Sequence, residues 1–484
     1  MKKFRWFVIT VLIMVMALMG TVPAFGVTKT TDKPPAVDAT SAIIMDAETG
    51  EVLYEKNAYE KRDPASITKI LNCLVVLDTL DLDQEVTINY DPETEGSVMH
   101  LEKGEKLKVK DLVYGMMIWS ANDAAEVLAK LSGGDIKTFC GMMNDRAAAC
   151  GAKDTAYTNP NGLNPYGKVN NITTAYDIAI IARSAMNNPE FAKIVGTDYL
   201  KVPATNKHKE RKHRSSNRCA WDTKTKVEIN GKKTPLKYDG CIGVKTGYSS
   251  TAGDCYCGYT KRGKTSLIVV VLNASHEIPK FRDAINLWNF GFDHYKTYYA
   301  ARVSDVVGQQ PVKRGSLREV DLGVSNNLAM TVAKDYKAAD NVTVEVKLDE
   351  KKVEAPISKG DVLGEAVALD ENGNQLARQE VISLEDAEKG GVLSYVGIAD
   401  EDAPIFFIAL ITLIAILILL KLRGKKKQNR QRRRARNQRA VRRKEREGEG
   451  TPFYFSEKKE EIPEEQNVEE DVEVEKYNRH GRVE

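Results

Sequence analysis

Ser66 and Lys69 stand three residues apart in KRDPASITKILN, residues 61–72, where an apolar helix begins. On one helix face the amine can reach the hydroxyl. A lysine desolvated beside other cations gives up its proton near neutral pH and can serve as the base for such a nucleophile. The pair reads equally well as two polar residues in a first helical turn, because S-x-x-K recurs by chance in a chain of 484 residues. Two further elements bear on the choice. Ser120-Ala121-Asn122, in WSANDAAE, lies between two helical patterns, fifty-four residues after Ser66. Lys245-Thr246-Gly247, in GVKTGYSS, lies on a strand pattern, where a glycine leaves room for a ligand at the strand edge. Each also has a plain reading: Ser120 and Asn122 as a helix cap, Lys245 as a solvated strand lysine.

These residues need elements to hold them together. SAIIMDAETGEVLYEKNA reads as strand, turn, strand, closing at Glu48-Thr49-Gly50. Asp63-Pro64 is a plausible N-cap and first-turn proline for a helix running to about Leu80. Helical patterns follow over residues 109–119, 121–131 and 135–150, then a turn-rich passage, YTNPNGLNPYGKVNN, then a helix over 174–186. Residues 226–275 alternate as paired strands, the last two joined at Lys261-Arg262-Gly263-Lys264, and a final helix over 279–295 packs back on them. Helices in the middle with strands at both ends predict an α+β domain over residues 35–298, its sheet joining both ends of the segment. Short alternating segments separated by Gly, Asn and Asp predict a small all-β domain over 299–392.

The two ends are of another kind. Residues 1–26 have the layout of a secretory signal peptide: early lysines and an arginine, an apolar run, then small residues. Residues 403–420 carry no charge and span about 27 Å as a helix, enough to cross a bilayer core; a transmembrane helix is predicted over 403–421. Fifteen of the next twenty-six residues are Lys or Arg, which places that side in the cytoplasm and the rest of the chain outside it. The basic block offers membrane lipids a partner. The tail, residues 422–484, turns from basic to acidic and reads as disordered. A net charge of +3 gives no nucleic-acid reading. Six histidines without a ligand-like cluster support no metal site, and no cofactor is expected. The seven cysteines are an odd number, so at least one is unpaired; Cys140 and Cys150 share an apolar helix face, and Cys255 and Cys257 read as strand residues.

Together, S-x-x-K, S-x-N and K-T-G form the signature of penicillin-binding proteins and related β-lactamases. The stretches LYEKNAYEKRDPASITKIL, GEKLKVKDLVYGMMIWSANDAAEVLA, TAYTNPNGLN and GVKTGYSSTAG resemble low-molecular-mass penicillin-binding proteins, the D-alanyl-D-alanine carboxypeptidases of the S11 serine peptidase family, and the resemblance runs over residues 35–390. It implies the penicillin-binding protein/β-lactamase-like transpeptidase fold, an antiparallel sheet with helices on both faces. It implies a substrate, peptidoglycan stem peptides ending in D-Ala-D-Ala, and β-lactam antibiotics as mimics of it. By the same resemblance Ser66 is the acylated nucleophile and Lys69 its base. Ser120 relays a proton to the leaving D-alanine, Lys245 keeps the site electropositive, and Asn122 orients the substrate amide. The N–H groups of Ser66 and Tyr248 form the oxyanion hole, and Thr246, beside Gly247, holds the terminal carboxylate. Where the family usually has an arginine for that carboxylate, eleven residues before Gly291, this chain has Lys280, with Arg282 two residues on. A lysine lacks the bidentate fork, so either affinity falls or Arg282 substitutes. Three rivals stay open: a β-lactamase, for which no E-x-x-x-N stretch exists between Asn122 and Lys245; a transpeptidase or D,D-endopeptidase; and a non-catalytic membrane sensor of peptidoglycan or penicillin.

Overall fold

The computed structural model describes residues 34–163, 170–349 and 353–446; the expected signal peptide and the acidic end of the tail lie outside them. The centre is a five-stranded antiparallel sheet in the spatial order Val52–Lys56, Ser41–Asp46, Thr265–Ala274, Gly253–Arg262, Cys241–Ser249. The N-terminal hairpin thus pairs with the last strand of the segment, Ile44 opposite Val269, and closes the domain as the sequence predicts.

The strand Thr265–Ala274 is the middle of the sheet, and its run Leu267–Leu272 is buried throughout. With a side-chain period of two, Ile268, Val270 and Leu272 enter one core and Leu267, Val269 and Val271 the other. The first core is covered by the helices Lys69–Thr79, Asn122–Gly133, Ile136–Ala149 and Ala175–Met186, the second by Glu277–His294 through Phe281, Ile285 and Trp288. Helices on both faces of an antiparallel sheet are the α+β architecture expected.

Local differences from the sequence reading have local causes. The helix expected from residue 63 starts as a 3-10 turn, Ala65–Thr68, before Lys69–Thr79 continues as an α-helix. The helix expected over 109–119 is α-helical only over Val109–Tyr114 and then widens into a π-helical turn, Gly115–Trp119. A side chain on Gly115 would overlap the Met99 sulfur, so glycine lets the strap around residue 99 pack tightly there. The turn ends on Ser120, a non-glycine residue with φ +67°; such left-handed positions cost energy and cluster at working sites.

The helix Glu277–His294 runs without a linker into the strand Tyr295–Ala301, which pairs with Leu328–Ala333. The small β unit that follows has a five-stranded sheet, Gly308–Pro311, Glu319–Val324, Gln375–Ser383, Val362–Leu369, Thr343–Leu348, around Val320, Leu322, Met330, Leu363 and Val381. The turn after the first strand of the chain ties the two parts together. Asp46 Oδ2 accepts from the hydroxyls of Thr297 at 2.7 Å and Thr331 at 2.9 Å. Glu48 accepts from Asn327 and Tyr299. Arg183 donates from the other side to the carbonyls of Ala47 and Glu48.

The C-terminal unit is a single helix, Ala403–Arg446. It is the one helix among the described residues long and apolar enough to cross a membrane. The basic block through residue 446 is helical and not disordered as expected. Arg, Lys, Gln and Ala are good helix formers, and between Lys421 and Arg446 the weaker ones are only Gly424, Asn429, Asn437 and Val441.

Candidate active site

The three motifs meet at one place. Ser66 stands in the 3-10 turn at the head of the helix Lys69–Thr79, just after Ala65, whose φ is +47°. Such a strained turn needs support, and two glycines allow it. A Cβ on Gly162 would lie 1.8 Å from the Ala65 carbonyl oxygen, and one on Gly247 would lie 3.0 Å from the Pro64 oxygen and 3.2 Å from the Ser66 nitrogen. The close approach that Gly247 permits is therefore of the nucleophile's own backbone to the strand Cys241–Ser249, rather than of a ligand alone. Asp63 clamps the turn. One carboxylate oxygen accepts from the Ala65 N–H, the other from Thr251 Oγ1 and Asn170 Nδ2.

Lys69 is fully buried, and its amine has three partners: Ser66 Oγ at 2.9 Å, Asn122 Oδ1 at 2.7 Å and the Asn161 carbonyl at 2.7 Å. Two of these can only accept. A neutral amine has two N–H bonds and one lone pair, so it satisfies Asn122 and Asn161 as donor and turns its lone pair on the Ser66 hydroxyl. The electrostatics favour that state. Burial pushes the Lys69 amine well below the ordinary lysine range, and the nearby Lys245 charge adds to the shift while Asp123 opposes it.

Lys245 lies at the other wall, its amine 3.0 Å from Ser120 Oγ and 2.9 Å from the Thr246 carbonyl. Burial, and then the charge of Lys280, brings it down to about 7. Thr246 Oγ1 is 2.7 Å from Ser216 Oγ, and Tyr248, two residues further along the strand, is exposed. Beneath, Asn217 and Tyr256 both donate to the Gly243 carbonyl and hold the strand in place.

The structure gives three of the sequence-predicted residues other surroundings. Asn122 has both ends of its amide engaged: Lys69 on the oxygen, and the Glu95 carbonyl, 2.6 Å away, on the nitrogen. Lys280 is buried, and its amine is 2.6 Å from Asp254, the residue paired with Tyr248 across the strands. Arg282 points elsewhere, to Asp283 at 3.2 Å, whose other oxygen accepts from the Ala39 N–H. The structure brings Ser66, Lys69, Ser120, Asn122, Lys245, Thr246, Gly247 and Tyr248 together, adds Lys280 from below, and leaves Arg282 out.

Other residues of the site escaped the sequence reading. Asn161 supplies its carbonyl to Lys69 from the turn NPNG, and that turn is built by side chains. Asn171 Oδ1 accepts from the N–H groups of Thr158 and Asn159, and its amide nitrogen donates to Thr68 Oγ1 and to the Asn159 carbonyl. Asn159 Oδ1 in turn accepts from Gly162 N–H at 2.7 Å. Asn72 donates to the Pro160 carbonyl. Asp123 accepts from the N–H groups of Met99 and Leu101 and so holds the strap that reaches Asn122. The signal available was the density of asparagine in YTNPNGLN, since Asn side chains imitate backbone turns.

Known proteins share the family and the fold of this chain. The family model for D-alanyl-D-alanine carboxypeptidases matches residues 28–276, and that for the penicillin-binding protein 5 C-terminal domain matches residues 295–389. The chain is 32% identical over 370 residues to D-alanyl-D-alanine carboxypeptidase DacF of Bacillus subtilis, covering 74% of this chain and 88% of that one. It is 30% identical over 378 residues to D-alanyl-D-alanine carboxypeptidase DacC of Escherichia coli, covering 75% and 87%. In fold it is similar to penicillin binding protein 5 from Haemophilus influenzae, with a TM-score of 0.56 and 24% identity over 74% of this chain and 99% of that one.

Proposed function

The chain belongs to the D-alanyl-D-alanine carboxypeptidase family, and from that premise we propose that Ser66 is its acylated nucleophile, with Lys69 as base and Ser120 and Lys245 as the proton path to the leaving group. The enzyme is a serine peptidase of the S11 type and a penicillin-binding protein. It removes the terminal D-alanine from peptidoglycan peptides ending in D-Ala-D-Ala.

The observation that carries the assignment of roles is the three-partner amine of Lys69. Its lone pair takes the Ser66 proton as the oxygen attacks the carbonyl of the penultimate D-alanine. The N–H groups of Ser66 and Tyr248 receive the charge that develops on the carbonyl oxygen, each donor of this kind being worth about 3 kcal/mol. As the peptide bond breaks, Ser120, 3.0 Å from the Lys245 amine, passes a proton to the departing D-alanine nitrogen. Water then attacks the Ser66 ester and gives its proton to the Ser120–Lys245 pair, which had lost one, while the proton held on Lys69 returns to Ser66 Oγ as the ester breaks. The terminal carboxylate meets the Thr246 and Ser216 hydroxyls in the field of Lys245. Lys280, held by Asp254, acts through that field and is not a direct ligand.

The apolar helix Ala403–Arg446 anchors this enzyme in a membrane in our reading, with the peptidase outside and the basic block, a partner for anionic lipid, inside.

The test is release of D-alanine from a peptide ending in D-Ala-D-Ala, comparing the full chain with Ser66→Ala. Loss of release and of penicillin labelling in the variant is the expected result. Equal release from both would remove Ser66 from the mechanism. A stable penicillin adduct without peptide hydrolysis would mean a sensor, rapid turnover of penicillin a β-lactamase, and transfer of the acyl group to an added amine a transpeptidase.

A further inference from the structure

We propose that Val392, Tyr395 and Val396 form a lipid-facing foot, by which the small β unit rests on the apolar–polar boundary of the bilayer; the inference depends on the membrane reading of the C-terminal helix.

The three residues lie on one short 3-10 turn, Val392–Val396; at three residues per turn Tyr395 stands over Val392, and Val396 lies a third of a turn further round, beside Tyr395. They are 87%, 64% and 73% exposed, and the two valines are the most exposed large apolar side chains among the described residues. The opposite face of the turn is packed, with Ser394 buried. This exposure is built in, because hydrogen bonds hold the segment from several directions. Gly391 N–H donates to both oxygens of Asp400, at 2.9 and 3.0 Å. Ser394 Oγ donates to the Gly391 carbonyl, and Ile398 N–H to the Leu393 carbonyl. The connection between the strands Gly308–Pro311 and Glu319–Val324 contributes too: Gly390 N–H donates to the Arg314 carbonyl, and Arg318 N–H to Glu401.

The occupant follows from sequence distance and from charge. Val396 precedes Ala403, the first residue of the apolar helix, by seven residues, so even a fully extended chain separates them by no more than about 25 Å. Wherever the helix enters the bilayer, the headgroup layer is within reach of this turn. The Arg314 guanidinium lies 5.4 Å from the Tyr395 ring centre, and an aromatic ring beside a long cationic side chain suits a water–lipid boundary. Asp400, Glu401 and Asp402 stand between the patch and the helix, which disfavours attraction to anionic headgroups. The partner is therefore the boundary layer of neutral lipid, engaged by apolar contact.

The experiment places tryptophan at the patch with Tyr395→Trp in the full chain, reconstituted in phosphatidylcholine vesicles, with Tyr59→Trp as a distant exposed control and the unsubstituted chain as background. Flotation first establishes that the protein is anchored. The expected result is a blue-shifted added emission from position 395, quenched more than about twofold by phosphatidylcholine brominated near the headgroup end of its chains, insensitive to salt and to added phosphatidylglycerol, and absent for position 59. Flotation with a water-like, unquenched signal at 395 would overturn the foot while leaving the anchor intact. A blue shift that grows with protein density and resists lipid quenching would assign the patch to a second copy and also overturn it. Failure to float would remove the anchor and the foot together.

Discussion

At the scale of single residues, the chemistry turns on whether the Lys69 amine is neutral, and that state leaves a signature in stability. The folded chain holds this amine below its ordinary pKa, so between the depressed value and about 10.5 the unfolded chain binds a proton that the native one does not. Stability contributed at this site is therefore present above the unfolded pKa and is lost as pH falls toward the folded one. We expect the unfolding free energy of the wild type minus that of Lys69→Met to rise with pH across this window by up to about 1.4 kcal/mol per unit. Denaturant unfolding of the detergent-solubilised chain at a series of pH values measures it, and a flat difference would mean that the native amine is charged. The sequence made the pair Ser66 and Lys69 visible because its spacing follows from helix geometry. It could not show Asn161, which acts through a backbone carbonyl that any residue type would supply. Nor could it show that Asn122 is held at both ends, or that Arg282 turns to Asp283, since neither partner lies at a regular spacing.

At the scale of elements, the loop from Thr158 to Asn171 does more than connect two helices. Its described ends, residues 158–163 and 170–171, are built on asparagine side chains, so their order resides in a few hydrogen bonds. Asn171→Ala removes the acceptor for the buried Asn159 N–H and the part-buried Thr158 N–H, and the donor to Thr68, a loss of about 3 kcal/mol. It also frees the carbonyl that faces Lys69, so we expect the rate of acylation by penicillin to fall at least about tenfold, where a merely destabilised loop would leave the rate of the folded fraction unchanged. Stopped-flow acylation beside a denaturation curve separates the two effects. Helices and strands with strong periodicity, such as Ala175–Met186 and Thr265–Ala274, were readable from pattern. The π-helical turn before Ser120 was not, because its cause is the packing of Met99 against Gly115, a contact between segments.

At the scale of the whole molecule, the peptidase part and the small β unit are joined through a carboxylate rather than an apolar seam. Asp46 is fully buried and accepts from the hydroxyls of Thr297 and Thr331 as well as the N–H groups of Glu48 and Thr49. Replacing it by alanine leaves those donors short of a partner at a cost of about 3 kcal/mol, and we expect Asp46→Ala to split one calorimetric transition into two as the β unit melts separately. A single transition shifted to lower temperature would show that other contacts bind the parts. The two-part layout was legible as a change from helical to short alternating patterns near residue 300. The joint was not, since Asp46 reads as the start of an ordinary turn. The seven cysteines are all unpaired, five of them buried, and burial lifts the thiols of Cys140 to about 11 and Cys255 to about 12, where the reactive thiolate is scarce. No cross-link staples this fold, so its maturation waits on no oxidant. The fold is therefore indifferent to the redox state of the compartment in which it forms.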